Sequence, residues 1–201
     1  MNLAADESLL WKALLVVLTI AATHLTISCS QTLLHYWLGH RRLGGQLFRN
    51  RINFHHQYYA RGYLTSAAYQ GEDGNNTPFF LIPTLLVGAT AFCLLPLGLF
   101  LAMTATAAIS FYAHVYFDKA YHVEGSPLQR FGWFRCMQQL HFVHHLHANS
   151  NFAVIDFYWD RLLGTYRRPD RITQAVSRAG GSGRPDSGDT PDGRAEDVPS
   201  A

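Results

Sequence analysis

The chain has 201 residues and a formal net charge of +2, which fits a single domain and gives no case for nucleic-acid binding. Charged residues make up 15% and hydrophobic residues 48% of the chain, whereas a soluble domain carries about 25% charged residues. The 3 cysteines show no C-x-x-C spacing, which argues against a disulfide framework and a thiolate zinc site.

Three apolar segments predict membrane spans. The first, residues 9–34, contains one charged residue, Lys12, and exceeds the roughly 20 residues needed to cross a bilayer core. A cleaved signal peptide is disfavoured, because Asp6 and Glu7 stand where such a peptide would carry basic residues. Residues 78–117 carry no charge, and Pro96 divides them into predicted spans over 78–95 and 97–117.

The expected fold is all-α and integral to the membrane, with about three to four transmembrane or membrane-embedded helices in a domain over residues 1–174. Basic residues are absent from the first eight positions and concentrate in segments 35–77 and 118–174. The positive-inside rule places these segments, a predicted helical cap, on the cytoplasmic side of a bacterial inner membrane or the endoplasmic reticulum. Residues 175–201 are rich in Gly, Pro, Ser and Asp, which predicts a disordered tail.

Histidines gather at the predicted cytoplasmic ends of the spans. Of the 11 histidines, only His24 lies deep inside a predicted span, where it is expected to be packed and hydrogen-bonded, and His114 stands near the cytoplasmic end of the third. Spacings of three and four residues within HFVHH (141–145) indicate one helical face, and His114, Asp118 and His122 form a second stripe. Imidazoles suit iron, zinc and copper. The candidate ligands outnumber the coordination positions of a single ion, which indicates two metal ions.

Four motifs carry a resemblance to a known group. HYWLGH (35–40), INFHH (52–56), HFVHH (141–145) and WDRLLGTY (159–166) resemble the fatty acid hydroxylase/sterol desaturase superfamily of membrane di-iron oxygenases. The similarity covers roughly residues 30–169. It implies two non-haem iron ions, O2 as co-substrate, and the following ligands: His35, His40, His55, His56, His122, His141, His144 and His145, with help from His114 or Asp118.

Two positions depart from the family pattern. Ile52 stands where the second motif would begin with a histidine, and isoleucine cannot bind metal. Asp118 stands four residues before His122, where the family has a histidine. A carboxylate can ligate iron, and His114 lies one turn earlier, so the sequence leaves both open. Asn151 and Asp160 are candidates for orienting the ligands from outside the metal shell.

The resemblance implies an enzyme that hydroxylates a C–H bond of a lipid, whether fatty acyl, sterol, carotenoid or related, with electrons from a separate ferredoxin- or cytochrome-type donor. Desaturation by the same site is the nearest alternative. A histidine-rich metal-binding or transport protein is a second alternative, although transporters place ligands within their spans. A family member without catalysis is the third, and Ile52 is its support.

Overall fold

The structure is a computed structural model that describes residues 3–41, 44–59, 63–70 and 77–170, with side chains from residue 9 onward and not at 77–83. Within these ranges the chain is helical and has no strand, so the all-α prediction is confirmed for them. The helices are α1 (Leu3–Leu34), α2 (Gln46–Phe48), α3 (Thr77–Leu94), α4 (Leu97–Tyr121), α5 (Gly132–Leu146) and α6 (Tyr158–Leu163). Two π-helical segments, π1 (His35–Gly39) and π2 (Arg49–His56), and a 3-10 turn (Pro127–Arg130) complete them. The tail predicted over 175–201 lies outside the described residues.

Two helical stretches are long and apolar enough to cross a membrane. They are Leu9–Gly39, with 31 residues, and Leu97–Tyr121, with 25. Their apolar side chains point outward, since Leu10, Ile109 and Tyr112 are each 70% exposed, so these helices are not the core of a soluble protein. In α3 the described apolar stretch is shorter, Thr84–Leu94. The number of spans, the side of the membrane and the domain boundaries stay predictions.

Helices α1 and α4 pack side by side and run in the same direction. His24 Nδ1 of α1 lies 2.9 Å from Ser110 Oγ of α4, and each residue stands about three helical turns before the end of its helix. A tight turn at Pro96, whose ψ is 141°, separates α3 from α4. The carboxyl ends of α1 and α4 therefore reach the same end of the bundle, where π1 and His122 follow.

The cap packs around the end of α4. Buried Leu64, Tyr121, Phe134 and Phe142 form its apolar cluster. An isolated bridge holds the segment 63–70 against the residues that follow α4: the Ser66 amide donates to the His122 carbonyl at 2.9 Å, and the Glu124 amide donates to the Ser66 carbonyl at 3.0 Å. This pairing fixes the backbone of His122 before any ligand binds.

Candidate metal centre

Eight histidines form two groups of four at the end where α1 and α4 meet the cap. The first group is His35, His40, His56 and His144, and the second group is His55, His122, His141 and His145. Within each group the candidate ligand nitrogens all lie within 4.8 Å of one another. All eight belong to the ligand set that the family resemblance implies.

The histidine doublets divide between the two groups. His55 and His145 belong to the second group, whereas their neighbours His56 and His144 belong to the first. Consecutive residues of an α-helix point about 100° apart, so one doublet on a helix can serve two separate sites. The single shared face expected for the 141–145 motif is thus only part of the arrangement, because His141 and His145 turn to one group and His144 to the other.

The π-helical segment π1 brings together the two histidines of the first motif, HYWLGH (35–40). His35 and His40 are five residues apart, and in an α-helix such residues point in different directions. In π1 the backbone bonds i to i+5, which brings these two rings together, with Nε2 atoms 3.2 Å apart. Single π-helical turns are rare and often mark functional sites, and this one could not be predicted from the sequence.

Most of the rings are oriented through their other nitrogen. Four Nδ1 atoms donate to backbone carbonyls: His35 to Phe152 at 2.6 Å, His122 to Leu64 at 2.7 Å, His144 to Ser150 at 2.7 Å and His145 to Tyr59 at 2.9 Å. His55 Nδ1 is hydrogen-bonded to the Tyr69 hydroxyl at 3.0 Å. A proton held on Nδ1 leaves the Nε2 lone pair available, which is the usual arrangement of a metal-ligating histidine.

The Nε2 atoms then face one another at distances suited to ligands of one ion. The His122 and His141 atoms are 3.0 Å apart, and those of His56 and His144 are 3.1 Å apart. Two nitrogens bound at right angles by bonds of about 2.1 Å would lie about 3.0 Å apart. Converging lone pairs repel unless a proton or a cation lies between them. The donor sets therefore fit two transition-metal ions.

Burial keeps these rings neutral. Desolvation lowers the pKa of His40 to about 3 and the pKa of His122 to about 4, against an ordinary value of about 6.5. The same cause holds the pKa of the other ligand candidates in the cap well below that value; they are His55, His56, His141, His144 and His145. A neutral imidazole is the form that binds metal.

Neither His114 nor Asp118 falls in a four-histidine group. His114 Nδ1 donates to the Ser110 carbonyl at 2.8 Å, inside α4. Asp118 accepts two bonds from the Arg51 guanidinium, at 2.8 and 3.0 Å, and its Oδ1 lies 3.6 Å from His141 Nε2. A role for either one as a ligand stays a prediction. Each group contains four histidines without a ligand from position 52, where the family pattern has a histidine and this chain has Ile52.

Arg51 is a feature that the sequence argument missed. Its Nε donates to His35 Nε2 at 3.0 Å while its other nitrogens bind Asp118. The guanidinium thus connects the first group to the carboxylate beside the second group. Ligation by His35 requires this bond to Arg51 to be given up. In the sequence, Arg51 is one of several basic residues of the segment 35–77, and nothing in the pattern distinguishes it from the others.

The segment 150–157, here called the closing loop, supplies two of the orienting carbonyls. Asp160, which is fully buried, holds the loop by accepting from the Phe152 amide at 2.7 Å, the Ala153 amide at 3.0 Å and the Thr165 hydroxyl at 2.7 Å. Asn151 adopts a φ of 53°, and its side-chain Nδ2 donates to the Leu140 and Arg167 carbonyls. Both residues hold the backbone that orients the histidines.

These observations define a helical protein with two helical stretches that are long and apolar enough to cross a membrane, and with two candidate four-histidine metal sites at the ends of these stretches. The sequence profile of the fatty acid hydroxylase family matches residues 11–165, which covers both groups and the closing loop. The chain belongs to this family, and the resemblance seen in its motifs is confirmed. The chain matches no curated protein and no solved structure.

Proposed function

We propose that the protein is a membrane-bound, non-haem di-iron oxygenase that hydroxylates a C–H bond of a lipid with O2 and external electrons. The observation that carries the proposal is the division of eight histidines into two groups of four, with most Nδ1 atoms held by hydrogen bonds. Iron bound there would supply reductive activation of O2 and the oxidation of an unactivated C–H bond. Family membership supports a lipid as the substrate.

The protein itself contributes orientation, burial and access from the membrane. His122, His141 and His144 are fully buried, so water is excluded from the ring nitrogens of these three candidates. Both candidate membrane helices end at the histidine groups, which favours a substrate that diffuses within the bilayer over a water-soluble one. Reducing equivalents would come from a separate ferredoxin- or cytochrome-type protein that docks on the cap, on the cytoplasmic side.

Lipid analysis of a host that expresses the chain tests the reaction and the substrate together. Lipids extracted from cells with the native chain are compared by mass spectrometry with lipids from cells that carry His144→Ala or His147→Ala. His147 belongs to neither histidine group, so its variant is the matched control. A lipid that gains one oxygen with the native chain and with His147→Ala, and not with His144→Ala, supports hydroxylation.

Other outcomes separate the alternatives. A lipid that loses two hydrogen atoms without gaining oxygen would identify a desaturase. Metal analysis of the purified chain gives a second measurement, and the proposal expects two irons per chain. Bound metal without any change in the lipids, in the presence of a reduced donor, would favour a metal-binding protein that has no catalytic activity.

A further inference from the structure

The two histidine groups depend differently on the first helix. His35 and His40 of the first group follow α1 directly, whereas His56 and His144 come from the cap. Every member of the second group lies in π2, at the end of α4 or in α5. The first group is therefore assembled only where the end of α1 docks against the cap, and the second group does not require this docking.

The closing loop lies along α1 and is attached to it at two points. At one end the Phe152 carbonyl accepts from His35 Nδ1. At the other end the Ser28 hydroxyl of α1 donates to the carboxylate of Asp156. Ser28 and His35 are two helical turns apart on one face, about 10.5 Å, and the five residues from Phe152 to Asp156 can bridge this span, because their four chain steps reach about 14 Å at most.

Asp156 lies in a polar network between the membrane helices. Its Oδ2 is 3.2 Å from His24 Nε2, and His24 Nδ1 is 2.9 Å from Ser110 Oγ of α4. The Trp159 indole donates to Ser28 Oγ at 3.1 Å. The side chain of Asp156 is 18% exposed. A carboxylate placed between apolar helices is costly unless it is paired, so these partners strongly favour this one docked position of the loop.

Asp156 and Asp160 hold the closing loop in different ways. Asp160 bonds to amides and to a hydroxyl within the cap, and so it fixes the shape of the loop. Asp156 bonds to side chains of α1, and so it fixes where that loop meets the helix. The second role acts on α1 itself and so bears on how His35 and His40 stand relative to His56 and His144.

We propose that Asp156 is a positioning residue for the first histidine group, acting through Ser28 and His24 of α1. By docking the closing loop on α1, it sets the distance between the two ligands at the end of this helix and the two ligands of the cap. The second group should be insensitive to it. This inference rests on the proposed metal binding by both groups.

Metal titration of the full chain in detergent tests the proposal, with Co2+ as the probe and a chelator as the competitor. Asp156→Ala is expected to weaken one of the two Co2+ sites at least about tenfold, the usual range for a lost partner outside the ligand shell, and to leave the other site unchanged. Tyr69→Phe is the matched control, because its hydroxyl bonds to His55 of the second group. It should weaken the other site.

Variants that disable one group assign the effect. In a His145→Ala background only the first group keeps its four histidines, and Asp156→Ala should still weaken the bound Co2+. In a His144→Ala background only the second group is complete, and Asp156→Ala should have no effect. If Asp156→Ala does not fold, Ser28→Ala, which removes one of the two α1 partners, is expected to give the same selectivity.

Equal weakening of both sites, or no change at either, by Asp156→Ala or by Ser28→Ala in its place, would overturn the positioning role and leave the proposed function standing. A native chain that binds fewer than two Co2+ ions would instead refute the proposed function itself.

Discussion

Replacing the buried carboxylate of Asp160 by alanine isolates the contribution of the closing loop. This carboxylate accepts two backbone amides and one hydroxyl, and the side chain is fully buried. Asp160→Ala leaves the amides of Phe152 and Ala153 without their partner in a place from which water is excluded. It also frees the backbone whose Phe152 carbonyl orients His35.

The expected cost follows from these bonds. A buried donor left unsatisfied costs about 1–3 kcal/mol, so two amides give roughly 2–6 kcal/mol, with about 4 kcal/mol as the central value. For a chain of this size 1 kcal/mol corresponds to about 2–4 °C in the melting temperature. Asp160→Ala should therefore lower the melting temperature by about 8–16 °C.

Thermal unfolding in detergent, followed by circular dichroism, measures this shift. Asp160→Asn keeps one carbonyl oxygen and should lose about half as much. Asp170→Ala is the control, because that side chain is 42% exposed, and a surface change should stay within about 0.5 kcal/mol. A melting temperature of Asp160→Ala within about 2 °C of the native value would refute the view that this carboxylate holds the loop.

Three further predictions concern the salt bridge, the pH dependence and the end of α6. Arg51→Met should destabilise the protein by about 3–5 kcal/mol, because it leaves Asp118 charged and unpaired at 16% side-chain exposure. If Asp118→Asn is added to this variant, recovery of the thermal stability would support this reason, and a further loss would contradict it. The pKa of His122 is lowered to about 4 when folded and is about 6.5 when unfolded, so the unfolded chain takes up protons first, and the metal-free protein should lose stability as pH falls from about 6.5 to 4. A flat melting profile over that range would count against burial of neutral histidines. Gly164→Ala should destabilise the protein by about 1–2 kcal/mol, because Gly164 has a φ of 72°. Gly132→Ala is the control, since Gly132 has no positive φ, and it should not carry this cost. Equal shifts of the melting temperature in the two variants would contradict the prediction.

The helices and the ligand types could be predicted because both depend on local sequence. The apolar run from residue 9 and the uncharged run 78–117 are helical in the structure apart from the turn at Pro96, because a helix satisfies all of its backbone groups within one segment, as an apolar environment requires. The turn at Pro96 follows from the fixed φ of proline and its missing amide proton. The eight histidines could be predicted as candidate ligands for the same reason, since their motifs and spacing are visible along the chain.

The π-helical segments could not be predicted from the sequence pattern. A helical pattern read at 3.6 residues per turn relates His141 to His145 correctly, and it separates His35 from His40. The extra residue per turn in π1 is a local distortion that no residue type announces. The same holds for the partners of the Nδ1 atoms, because a carbonyl such as that of Phe152 leaves no mark in the sequence.

By itself, then, the sequence determined which chemistry the chain can perform: apolar segments for a membrane, imidazoles in pairs, and the motifs of its family. The tertiary structure alone decided how the eight imidazoles divide into two sites, which backbone atoms orient them, and that Asp156 bonds to Ser28 and His24 in α1. The physical reason is distance along the chain. Many of these contacts join residues far apart in the chain, such as His35 with Phe152 at a separation of 117 positions and His55 with His145 at a separation of 90, and only tertiary packing brings such residues together.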